Sequence, residues 1–116
     1  MHDGSRYEGN FKDGLRCGFG TYYAQDGGVY KGNWRENTID GKGTYLWPNG
    51  KKYEGHWKAN KLHGYGVCTW PDGKVYRGEY FNDKKNGQGI MKYKDGTIYD
   101  GGWFDGKMHG NGKFTD

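Results

Sequence analysis

The side chains able to do chemistry are few, and their spacing does not suit catalysis. Ser5, next to the chain start, is the only serine. Cys17 and Cys68 have no histidine and orienting third group that the sequence can assign to them, as nucleophilic catalysis would require. His63 and His109 fall about 19 Å apart in the sheet argued for below, at ~4.8 Å per strand, too far to share a metal. His56 falls on the polar face of a strand. The pairs Gly18/Gly20, Gly41/Gly43, Gly64/Gly66, Gly87/Gly89 and Gly110/Gly112 suggest phosphate loops at first sight. None extends to G-x-G-x-x-G, and none opens a helix whose N-terminus could hold an anion. We therefore assign no catalytic residue, no metal site and no cofactor, and expect a protein that is not an enzyme.

The same glycines mark the organisation of the chain. Tyr-x-Gly-x-aromatic occurs at Tyr7-Gly9-Phe11, Tyr30-Gly32-Trp34, Tyr53-Gly55-Trp57, Tyr76-Gly78-Tyr80 and Tyr99-Gly101-Trp103, at a fixed step of 23 residues. Each copy is followed by its Gly-x-Gly, and an Asp/Asn-Gly pair precedes each copy, at Asp3-Gly4, Asp26-Gly27, Asn49-Gly50, Asp72-Gly73 and Asp95-Gly96. A single fixed period denotes a repeat architecture. Within a unit, Tyr53, Gly55 and Trp57 alternate with Glu54 and His56, the period-2 pattern of a strand with one protected face. A turn follows, with Gly14, Asn37, Asn60, Asp83 or Gly106 at its apex, residue types that tolerate positive φ. A second strand then runs from Gly64 to Trp70, and Asp72-Gly73 turns into the next copy. Pro48 and Pro71 fall between strand and turn, where a missing N–H is harmless. No stretch has helical periodicity.

The prediction is an all-β, elongated, single-layer antiparallel β-meander of five hairpin repeats, about 7–29, 30–52, 53–75, 76–98 and 99–116, forming one array over 1–116. Ten strands at the usual spacing make a sheet roughly 45–50 Å long. Glycine in a strand interior leaves room for a neighbouring ring to lie over the backbone. Tyr7, Tyr30, Tyr53, Tyr76 and Tyr99 form one row of rings, and Phe11, Trp34, Trp57, Tyr80 and Trp103 a second. The chain starts and stops in mid-pattern without the atypical end repeats of most arrays. We expect it to be an excerpt of a longer protein.

Composition agrees with a thin fold. Apolar residues make up only 32% and mean hydropathy is −1.21, values polar enough for disorder. Aromatic residues at 18%, recurring at regular places, decide against it. The net charge of +4 permits acidic partners or anionic headgroups without demanding them. Cys17 and Cys68 occupy different repeat positions, so they read as free thiols in a reducing compartment. No signal peptide or apolar spanning run is present in the sequence.

The whole pattern resembles the MORN repeat: Tyr-x-Gly-x-Trp, a Gly/Asn/Asp turn, Gly-x-Gly and a closing Asp-Gly. Phe11 and Tyr80 depart from it in place of Trp, and Glu36-Asn37-Thr38-Ile39-Asp40 lacks the usual Lys and His before Gly41. The resemblance implies a twisted single-layer meander that acts as a scaffold, often at cytoskeletal structures, cilia or membrane contacts. It also implies that such arrays can be regulatory modules of larger enzymes.

A single sheet cannot cover both its faces, and exposed aromatic patches mark interaction sites. The expected site is a groove in which the outer parts of Trp34, Trp57, Tyr80 and Trp103, with Tyr53 and Tyr76, take an amphipathic helix or extended peptide of a protein partner. Basic turns at Lys61, Lys84, Lys85 and Lys107 would steer an acidic partner or, alternatively, contact anionic phospholipid headgroups. The open first and last strands offer edge-to-edge homodimers. Nucleic acid is not expected, because the rings are committed to cross-strand glycines rather than spread for stacking. The setting expected is cytoplasmic, cytoskeleton- or cilium-associated.

Overall fold

Five Tyr-x-Gly-x-aromatic segments become first strands, and each is turned back by two residues of left-handed backbone. Ala59 and Asn60 have φ of 47° and 70°, and Lys58 pairs directly with Lys61 across them. Positive φ at both central positions is the requirement of a type I′ hairpin. The computed structural model describes residues 4–116. Asp3, the partner of Gly4 in the first Asp-Gly pair, lies outside the described residues, as do Met1 and His2.

The strands are β1 Arg6–Lys12, β2 Leu15–Tyr23, β3 Val29–Arg35, β4 Thr38–Leu46, β5 Lys52–Lys58, β6 Lys61–Thr69, β7 Val75–Phe81, β8 Lys84–Lys92, β9 Ile98–Phe104 and β10 Lys107–Thr115. They form one antiparallel sheet in chain order, with extents of 50 × 24 × 18 Å. The sheet is as long as the strand arithmetic predicts. The second strand of each hairpin begins earlier than expected, at Lys61 rather than Gly64, because the turn takes only two residues. Trp70 leaves that strand: its N–H donates to Lys74 O at 2.9 Å inside the next turn.

The two glycines of Gly-x-Gly do different work. Gly55 pairs with Gly66, but Trp57 pairs with Leu62, so His63, Gly64 and Tyr65 stand opposite the single residue His56. That bulge recurs in every hairpin. Gly64, with φ of 93°, supplies the conformation an L side chain resists at the bulge. Gly66 is instead required for space: a Cβ there would run into the ring of Tyr53. The Tyr53 hydroxyl, passing over the glycine, donates to His56 O at 3.0 Å.

The apex residues join one repeat to the next. Asn60 N–H donates to Ile39 O at 2.9 Å, and Ile39 N–H donates to Asn60 Oδ1 at 2.7 Å. Asn37 clamps Arg16 and Asp83 clamps Leu62 in the same way. Asn and Asp thus extend the backbone ladder past the last paired residue, in addition to tolerating positive φ.

The core is one zipper rather than two rows. Trp57 packs edge-on between Tyr30, at 5.6 Å, and Tyr53, at 5.3 Å, and Tyr80 repeats this between Tyr53 and Tyr76. Trp34 and Trp103 continue it in both directions. Edge-to-face pairs of this kind add about 0.5–1.5 kcal/mol each beyond area burial.

Candidate interaction face

The aromatic rows expected to offer contact surface are covered. Tyr53 and Tyr76 are 0% exposed, and Trp34, Trp57, Tyr80 and Trp103 are 6% exposed. Their burial has a local cause. Each large ring is sandwiched between tyrosines of two successive repeats, while side chains of the second strand, such as Ile39 and Leu62, close over it. Burial also raises the Tyr53 phenol to about 12, and pushes those of Tyr30, Tyr76 and Tyr80 up as well. These rings are the core, and a groove built from their outer parts is not available.

On this face, the partly accessible aromatic surface lies one column further along. Tyr22, Tyr45, Trp47, Trp70 and Tyr93 are half-buried against the core. Trp47 stacks on Tyr45 with centroids 4.6 Å apart. Sequence reasoning passed over Trp47, Trp70 and Tyr93, although they recur at the repeat period just before the turn, and Pro48 and Pro71 follow the two tryptophans directly.

The lysines divide between two surfaces. Lys61, Lys84 and Lys107 begin β6, β8 and β10 and are exposed. Lys84 is ion-paired with Asp105 at 2.8 Å, and its hydrogen bond holds that carboxyl below the usual range. Lys85 does not belong with them. Consecutive strand residues point to opposite faces, so Lys85 turns onto the aromatic face, half-buried, in the column that Arg16, Ile39, Leu62 and Met108 occupy elsewhere. Lys51 and Lys74 lie on the same face: their ammoniums sit 4.7 Å from the Trp47 centroid and 4.6 Å from that of Trp70. The basic edge expected of Lys84 and Lys85 side by side is therefore not formed.

The opposite face carries exposed rings, among them Phe19, Tyr65, Phe81 and Phe104. His63 and His109 stack on Phe81 and Phe104, at 5.1 and 5.5 Å. Among the described residues, no three His, Cys, Asp or Glu side chains are grouped to hold a metal.

Residues 7–29, 30–52, 53–75, 76–98 and 99–116 each match the family model of the MORN repeat. The chain belongs to the MORN repeat family. MORN arrays are non-catalytic interaction modules for proteins and membranes, and the observed meander supplies the physical form of one. In this MORN array the tyrosine and glycine of the repeat signature build the fold, while variable positions beside them carry the accessible chemistry. A search of curated proteins returned no match.

Proposed function

We propose that this MORN array is a scaffold that seats a segment of a protein partner along the column of Tyr45, Trp47, Trp70 and Tyr93. The observation that carries the reading is the half-burial of two tryptophans that complete no ring sandwich in the zipper. Amphipathic rings with one face packed and one free are typical of interface anchors. The cytoplasmic, cytoskeletal or ciliary setting is proposed on the family's usual role and on two free cysteines, Cys17 and Cys68.

The experiment is a displayed-peptide selection against the protein, followed by NMR mapping of the best binder. Expected are shifts of the Trp47 and Trp70 indole signals, with Phe81 and Phe104 on the opposite face unmoved. Shifts confined to the opposite face, or to β1 and β10, would refute the reading.

Anionic-headgroup binding is the second reading, favoured by the exposure of Lys61 and Lys107. Salt-sensitive pelleting with anionic vesicles, abolished by Lys61→Glu with Lys107→Glu, would replace the scaffold reading by this one.

A further inference from the structure

Three ammonium groups converge on one indole. The Nζ atoms of Lys51, Lys74 and Lys85 lie 5.5, 4.6 and 5.5 Å from the centroid of Trp70. Lys85 also stands 5.4 Å from the Tyr76 ring and 5.6 Å from the Trp103 ring. Among the described residues none of the three lysines is ion-paired. The rings stabilise the cations but neutralise nothing.

Lys85 is the anomaly. Its column holds Ile39 and Leu62 in the two preceding repeats, both buried and apolar, while Arg16, the other cation in the column, donates from Nε to Asn37 Oδ1 at 3.0 Å. A charge set in an apolar column without a counterion is unfavourable for folding alone. Burial accordingly lowers the pKa of Lys85, and the like charges of Lys51 and Lys74 push the same way against an opposing pull from Cys68. Places where a residue breaks the rule its neighbours obey are where function is to be sought.

We infer that Lys51, Lys74 and Lys85 form an anion seat around Trp70, and that its occupant is a carboxylate-bearing, extended segment of a partner protein. The inference rests on the scaffold reading above and specifies the chemistry of its partner. Charge complementarity gives the carboxylates. The extended form follows from the adjoining Trp47, Trp70 and Tyr93, which repeat every second strand, at about 10 Å, and offer apolar contacts on either side of the seat. A recessed ammonium such as that of Lys85 is reached by a side chain more readily than by a flat bilayer.

The test uses a fluorescein-labelled peptide alternating Glu and Leu, its Gln-Leu counterpart, and vesicles of phosphatidylcholine with phosphatidylserine. The variants are Lys85→Leu, which restores the residue found at Leu62, and Lys12→Gln as a control on an exposed lysine at the end of β1. The Glu-Leu peptide should bind, the Gln-Leu peptide should bind at least about tenfold more weakly, and Lys85→Leu should cost the Glu-Leu peptide about tenfold or more in affinity. Lys12→Gln should leave affinity unchanged. Lys85→Leu should also raise the melting temperature, which separates lost contact from lost fold. Three results would overturn the inference: no Glu-Leu binding, binding indifferent to Lys85→Leu, or Lys85-dependent binding to vesicles alone. The second would leave the scaffold reading intact, and the third would transfer the seat to a headgroup.

Discussion

Trp57 donates its indole N–H to the carbonyl of Gly43, 14 residues back in the preceding repeat, at 3.1 Å. Trp34 does the same to Gly20 and Trp103 to Gly89. The tryptophan of each signature is thus a tie between repeats as well as a core ring. Its partner is a glycine whose missing side chain also makes room for tyrosine. Tyr80 breaks the series, because it has no indole. Among the described residues no side-chain donor reaches the matching Gly66 carbonyl.

Trp57→Phe should therefore cost more than lost area alone, with about 1 kcal/mol more from the part-buried carbonyl left without its donor. Tyr80→Trp should recover the missing tie and stabilise by about 0.5–1.5 kcal/mol. Urea unfolding of both variants checks the pair. Equal and opposite burial effects without this asymmetry would show that the indole bond contributes nothing.

Much of this was legible in the sequence because the period is strict. Ten strands, one layer, the turn positions and the pairing of Tyr53 with glycines all follow from residue type and phase. The bulge at His63-Gly64-Tyr65 was not legible, since strict alternation is the simplest reading of Gly-x-Gly and a bulge is a property of pairing between strands. The burial of Trp34, Trp57, Tyr80 and Trp103 was missed for a related reason. Each ring is covered by a tyrosine of another repeat, and a count of rings per strand does not show who covers whom. Lys85 adjoins Lys84 in sequence, but strand alternation separates them onto two faces.

Gly66→Ala should be more damaging than Gly96→Ala. A methyl at Gly66 meets the Tyr53 ring, which is itself held by its hydroxyl bond to His56 O. Overpacking of this kind costs about 1–3 kcal/mol or more. Gly96 has φ of 93° but nothing within 4 Å of an added Cβ, so only backbone strain remains, about 1–2 kcal/mol. Differential scanning calorimetry of the two variants gives the order.

The apex clamp predicts a graded series at Asn60. Asn60→Gly keeps the left-handed backbone but loses the bond from Ile39 N–H, for a cost of about 1 kcal/mol. Asn60→Ala loses the bond and adds strain at φ 70°, for about 2–3 kcal/mol in all. Amide exchange at Ile39 should quicken in both, and unchanged protection there would discard the clamp.

Alkaline pH tests the zipper as a whole. Burial raises the phenol of Tyr53 to about 12, and raises Tyr30, Tyr76 and Tyr80 in the same direction. In the unfolded chain these phenols ionise near ~10. The folded state therefore holds the proton more tightly than the unfolded one. The stability this represents is fully present below about pH 10 and is lost as the pH rises from there through 12. Circular dichroism and tyrosinate absorbance, followed together, should show native structure persisting to about pH 10 and then failing in one cooperative step. The buried tyrosines should ionise only as the sheet unfolds. Smooth titration of all tyrosines near their ordinary value, with the sheet intact, would mean that the rings are not sealed from water, and the single aromatic core would have to be abandoned.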